Sequence, residues 1–199
     1  DRIAELEVSR GARRPRGGAG PSVSPAELRR CLASTIYLKH DDPLVQAMAA
    51  EARGSETDPQ RLAGRLCRYV STHVRTKTLD IGFATASEVA QTRQGDCSEH
   101  AVLLAALARA CGIPSRVVVG IVHVDQMLGR RDVFGYHMWT QMYIDGAWID
   151  LDPTLGQSRC DPTHIAMAVS DLSQSSLSEM ALQLLPLIGK LKIEILDVR

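Results

Sequence analysis

The eight residues Ala101–Ala108 read AVLLAALA, without one polar side chain among them. A helix that is apolar all round offers no face to water and must be covered on nearly every side. Such a segment dictates an architecture in which other elements wrap a central helix. Its ends are written in the flanking residues. Asp96 stands where an N-cap belongs, Glu99 follows three residues on to complete a capping box, and Gly112 and Pro114 stop the pattern after Cys111. The spacing predicts a buried helix over 96–111.

The segments that would cover it differ on its two sides. Upstream, three stretches open with a cap residue followed by proline: Ser24-Pro25, Asp42-Pro43 and Asp58-Pro59. They predict helices over 25–35, 42–53 and 58–74. The third places Leu62, Leu66, Tyr69 and Val70 at helical spacing, as an amphipathic scaffold helix does. Downstream the pattern becomes β-branched. Residues 115–124 (SRVVVGIVHV) read as a strand and 125–135 as a polar loop, with Arg130 and Arg131 placed to shape a cleft wall. Residues 136–144 and 147–152 flank Asp145-Gly146, a strong hairpin signal. The tail predicts a helix around 176–188 and a strand over 190–198. Residues 1–10 alternate like a strand from an upstream domain, and 11–25, rich in Gly, Pro and Arg, read as a flexible linker. The expected organisation is an upstream remnant and linker over 1–24, then one α+β domain over 25–199. The chain opens on Asp1 rather than Met, so further domains upstream in a longer chain are envisaged.

Lys and Arg total 23 against 23 Asp and Glu, a balance that argues against nucleic acid as a partner. No apolar run approaches the length of a membrane span. The five cysteines, at 31, 67, 97, 111 and 160, are scattered rather than arranged as a disulfide framework.

Cys97 falls in the first turn of the buried helix, where free backbone N–H groups and the helix dipole favour thiolate over thiol. The alternative is a structural cysteine, the commoner fate of a lone one. The hairpin supplies a second line of argument. Counting inward from Asp145-Gly146 pairs Ile144 with Ala147, Tyr143 with Trp148, Trp139 with Asp152 and His137 with Thr154. His137, Trp139, Asp150 and Asp152 then share one face, with His137 and Asp152 diagonal neighbours about 7–8 Å apart. A single bulge would reverse that relation. A cysteine activated by an imidazole, itself oriented by a carboxylate, is a general nucleophile arrangement.

The Cys97 N–H, Gln91 and Gln94 are oxyanion candidates, although loop glutamines are commonly just solvated. His100 is either a cleft residue or a surface position on the helix, and Trp139 either walls the cleft or packs in the core. Trp148 reads as packing, His123 and His164 as ordinary, and Cys31, Cys67, Cys111 and Cys160 as core or incidental. Cys97 and His100 with His137 and Asp152 would make a metal set, but the second close pair of structural zinc sites is missing. No metal and no cofactor is expected.

The runs GDCSEHAVLLAALARACGIPSRVVVG (95–120) and YHMWTQMYIDGAWIDLDPT (136–154) resemble the transglutaminase-like superfamily. The shared pieces are GDC at a helix start, GIPSR before a strand, H-x-W on a strand, and W-x-x-x-DPT. The upstream helices and 82–97 are similar to bacterial members. The resemblance implies a papain-like α+β fold, the cysteine helix packed on an antiparallel sheet that carries the His and Asp. It implies Cys97 as nucleophile, His137 as general acid and base, and Asp152 as orienting acid. It further implies an amide-processing enzyme, a cysteine protease, amidase or transamidase acting on protein or peptide through a thioacyl intermediate. A non-catalytic binding or scaffold module using the same groove is the alternative. Analogy with exported bacterial members points towards the cell envelope.

Overall fold

The computed structural model describes residues 5–8, 23–76, 83–127 and 129–197. The first three helices start where their caps predict. These are α1 (Pro25–Arg30), α2 (Pro43–Arg53) and α3 (Pro59–His73), and the side chains of Ser24, Asp42 and Asp58 each accept a first-turn backbone N–H. Helix α1 closes at Arg30 rather than 35. A helix not predicted, α4 (Ala86–Thr92), is held by a capping box between Thr85 and Glu88. Next comes α5 (Cys97–Ala110), whose residues from Glu99 to Arg109 are all buried. Helices α2, α3 and α4 pack on one side of it and a sheet on the other. The all-apolar run is thus covered as its composition requires.

The sheet is antiparallel throughout, in the order β3-β2-β1-β4, built from β1 (Ser115–Met127), β2 (Arg130–Ile144), β3 (Ala147–Leu151) and β4 (His164–Ser170). Most of the segment predicted as a polar loop over 125–135 is strand. Val124 pairs with Val133 and Gln126 with Arg131, a two-stranded extension whose polar side chains suit water. After β4 comes α6 (Gln174–Leu184), close to the helix predicted at 176–188. Residues 190–197 are exposed and form no strand, because their alternating apolar residues have no neighbouring strand to pair with among the described residues. Residues 5–8 are irregular; the rest of the predicted first strand, and the linker as far as residue 22, lie outside the described residues.

The two faces of the sheet differ in kind. Met138 and Met142 of β2 and Val117 of β1 join the core around α5, and Thr140 Oγ1 donates to the Ala101 carbonyl at 3.0 Å. The alternate residues, Trp139 on β2 and Val118 on β1, cluster with Cys160 on the opposite face. At the C-terminal end of α5, buried Arg109 donates to the carbonyls of Ala33, Ser115 and Asp171 and to Ser115 Oγ. Those acceptors compensate a charge that burial otherwise disfavours, and burial lowers its pKa to about 10.

Candidate active site

Cys97 is positioned by the turn that starts α5. Asp96 accepts from the Ser98 N–H at 2.8 Å, and Glu99 Oε2 accepts from the Asp96 N–H at 3.0 Å. Glu99 is wholly buried and also accepts from the Ala84 N–H at 3.1 Å, which ties the approach to α4 onto the cysteine turn. Gly95 makes room for this. Its φ is +148°, and a Cβ there would lie 2.2 Å from the Glu99 Cβ. His100 is buried, which excludes the surface position, and its Nδ1 donates to the Asp96 carbonyl at 2.6 Å.

The Cys97 thiol corrects one expectation. Burial pushes its pKa up to about 11, helped by the nearby carboxylates of Asp96 and Asp152; the Met138 and Cys97 N–H groups oppose this but do not prevail. The helix N-terminus is therefore outweighed by desolvation. Burial thus favours the thiol form of Cys97. The Met138 N–H that meets the sulfur belongs to the residue next to His137 on β2.

The predicted hairpin forms, from Ile144↔Ala147 and Tyr143↔Trp148 to Thr140↔Leu151. There the ladder ends, so the predicted pairs Trp139–Asp152 and His137–Thr154 lie beyond it. Asp152 leaves β3 and bridges to Gln157, with N–H to carbonyl bonds of 2.8 and 2.7 Å in the two directions. The face relation survives. His137 Nε2 donates to Asp152 Oδ2 at 2.7 Å, and both residues are buried. Asp152 Oδ1 accepts from the N–H groups of Thr154 and Leu155 at 2.8 and 3.2 Å, the turn that the DPT sequence builds. Burial opposes ionisation of Asp152. Hydrogen bonds from His137 and His164, with those of the turn, win, and hold it below the usual carboxylate range.

His164, read from the sequence as ordinary, is the correction that matters most. Its Nε2 donates to the same Oδ2 of Asp152 at 3.1 Å. A bulge in β4 places it there. Partners step from Val119↔Ala168 to Gly120↔Ala166, leaving Met167 as an extra residue, so that His164 pairs with Val122. Without the bulge His164 would oppose His123 and point to the α5 face. Gly120 permits the close approach, since a Cβ would lie 2.1 Å from the Ile165 carbonyl oxygen and 2.8 Å from Trp139.

Trp139 packs, the second of the two expectations for it. It is buried, its Nε1 donates to Asp150 Oδ1 at 2.7 Å, and its ring stacks on His137 with centroids 6.2 Å apart. Trp148 packs under the Arg116 guanidinium. Gln91 lies in the last turn of α4 and Gln94 bridges to Thr76; both are exposed, as are Arg130 and Arg131. All five cysteines are free thiols.

His137, Asp152 and His164 present ligand-type atoms within 4.8 Å of one another, a set that could hold a metal ion. Hydrogen bonding already accounts for the facing atoms, because both Nε2 atoms donate to Oδ2 and two backbone N–H groups occupy Oδ1. The metal set of Cys97, His100, His137 and Asp152 does not assemble among the described residues: neither Cys97 nor His100 joins this group.

Residues 46–153, more than half of the chain, match the family model of the transglutaminase-like superfamily. The chain belongs to the transglutaminase-like superfamily. A protein-glutamine gamma-glutamyltransferase of Pseudomonas aeruginosa is 29% identical over 130 residues, covering 63% of this chain and 19% of that protein. The chain thus spans about a fifth of the length of that curated relative. The crystal structure of the periplasmic domain of TgpA from Pseudomonas aeruginosa, bound to ethylmercury, is 26% identical with a TM-score of 0.53, covering 68% of this chain and 51% of that one. A candidate cysteine protease from Cytophaga hutchinsonii shares the fold at 20% identity, with a TM-score of 0.61 over 75% of this chain and 50% of that one. In this chain α5 carries Cys97 and packs on the sheet, with His137 on β2 and Asp152 just beyond β3.

Proposed function

We propose that this transglutaminase-like domain is a thiol-dependent amide-processing enzyme with Cys97 as nucleophile, His137 as general acid and base and Asp152 as the orienting carboxylate. One observation carries the reading. A buried His137–Asp152 hydrogen bond of 2.7 Å sits on the strand whose next residue, Met138, meets the Cys97 thiol. Asp152 engages Nε2, which leaves Nδ1 of His137 as the nitrogen that exchanges a proton with the thiol.

In the first step the Cys97 proton passes to His137 as the sulfur attacks an amide carbonyl. The C–N bond breaks, His137 gives its proton to the departing amine or ammonia, and a thioester remains. The Cys97 N–H at the helix start is the natural oxyanion donor, with Gln91 and Gln94 upstream as side-chain candidates. Water resolves the thioester to a carboxylic acid; a primary amine resolves it to a new amide. The glutamine-directed name of the Pseudomonas relative supports a glutaminyl side chain of a protein or peptide as acyl donor. The periplasmic origin of the solved TgpA domain supports a place in the cell envelope, and no helix among the described residues is long and apolar enough to cross a membrane.

The test incubates the protein with a glutamine-containing peptide, with and without a labelled primary amine, and measures ammonia and the intact mass of the protein. Cys97-dependent ammonia release and a thioester mass adduct are expected. Release that Cys97→Ala leaves unchanged would overturn the reading. Amine label in the peptide selects transamidation; glutamate alone selects hydrolysis.

A further inference from the structure

The two histidines on Asp152 are not equivalent. His137 engages the carboxylate through Nε2 at 2.7 Å. His164 lies between two carboxylates: its Nε2 faces Asp152 Oδ2 at 3.1 Å and its Nδ1 faces Asp161 Oδ1 at 3.4 Å, beside Thr163 Oγ1 at 3.3 Å. Asp161 is itself fixed by the Thr163 N–H at 3.0 Å and the Gln157 side chain at 2.9 Å. Thr163 Oγ1 gives its own proton to Asp161 and so accepts from Nδ1, which leaves the ring donating from both nitrogens, with two protons, as a cation. Asp152, with no exposed surface, needs a counter-charge to stay ionised. The ring of His164 is further enclosed by Trp139, edge-on at 5.2 Å, and by His137 at 6.0 Å.

On the footing of the function proposed above, we propose that His164 is a positioning residue of the active site, an imidazolium that holds the buried Asp152 carboxylate ionised and aimed at His137. The division of labour follows from the contacts. His164 stays charged through the cycle, while His137 gains and loses a proton. By neutralising part of the Asp152 charge, His164 weakens the pull of that carboxylate on the His137 proton, and so keeps the proton transferable to the leaving amine. Burial disfavours the charged form of His164, but Asp152 and Asp161 outweigh it and raise its pKa. The titratable groups that face the ring are Asp152 after β3, Asp161 before β4 and His137 on β2.

The experiment compares wild type, His164→Gln, His164→Asn, His137→Gln and Cys97→Ala in amide turnover across pH, with 15N NMR of the histidine rings in the wild type. Loss of His164 is expected to lower kcat about 10- to 100-fold with KM nearly unchanged. Removing its positive charge should also change the pH profile of kcat, which a merely structural role would leave in place. The wild-type ring of His164 should carry both protons at pH 7. A neutral His164 ring at pH 7 overturns the proposal even if both variants fail to fold. Wild-type kcat and pH limbs in folded His164→Gln overturn it as well, while inactive Cys97→Ala and His137→Gln leave the proposed function standing. Full activity in Cys97→Ala overturns that function itself.

Discussion

The two faces of the central sheet solve different problems with the same strands. Towards α5, β2 presents Met138, Thr140 and Met142, and Thr140 donates to the Ala101 carbonyl. On the other face the same strand presents His137, Trp139 and Gln141, joined to Asp150, Asp152 and His164 by directed hydrogen bonds. The first face is held by non-directional burial, which tolerates changes of shape better than changes of volume. The second depends on distances of 2.7–3.1 Å and on charge, so it tolerates neither. The lesson is that stability and chemistry should separate by side-chain parity along one strand, and substitution can break or sharpen that claim.

The largest separation is expected at Asp152→Asn. The amide keeps the shape but loses the charge that orients His137, and turnover should fall about 10³- to 10⁴-fold. Steady-state kinetics on the folded variant checks it. On the opposite face, Leu104→Ala removes a fully buried side chain of α5. It should cost about 2–5 kcal/mol of stability, read by urea unfolding, while the folded fraction keeps near-normal turnover. Gly120→Ala couples the two faces, because the new Cβ presses on the Ile165 carbonyl and on Trp139. It should cost about 1–3 kcal/mol and also lower turnover, by pushing β4 and His164 away from Asp152.

A smaller effect is read against pH. Asp152 has a lowered pKa in the fold, so its contribution to stability is present above the unfolded carboxylate value and fades as pH falls through the folded one. His164 has a raised pKa, so its contribution is full below the unfolded imidazole value and fades as pH rises through the folded one. The Tm gap between wild type and Asp152→Asn should therefore close on acidification, and the gap to His164→Gln should close on alkalinisation. Smallest of all, Thr140→Val should cost about 1 kcal/mol, the net worth of one buried hydrogen bond, with no change in kcat.

Legibility in the sequence follows the same division. The apolar run 101–108, the Asp-Pro and Ser-Pro caps and the Asp145-Gly146 turn are local signals, and each matches an element of the fold. The shared face of His137 and Asp152 was also legible, because hairpin register propagates from a two-residue turn. His164 was not. Its face is set by a bulge at Met167 and by pairing with β1 more than forty residues away in sequence, neither of which leaves a local mark. The state of the Cys97 thiol is illegible for a related reason: the helix start is visible in sequence, whereas the burial that raises its pKa belongs to the assembled fold.

The central claim is that Cys97 and the His137–Asp152 pair act as one proton-transfer unit, and the alkylation rate of Cys97 tests it most directly. Peptide mapping separates Cys97 from Cys31, Cys67 and Cys160, which are buried, and from half-buried Cys111. Cys97 is expected to alkylate faster at neutral pH in the wild type than in His137→Gln, because His137 takes the proton as the sulfur attacks. In His137→Gln only the small thiolate fraction that burial allows should react. Identical rates in the two proteins would contradict the account.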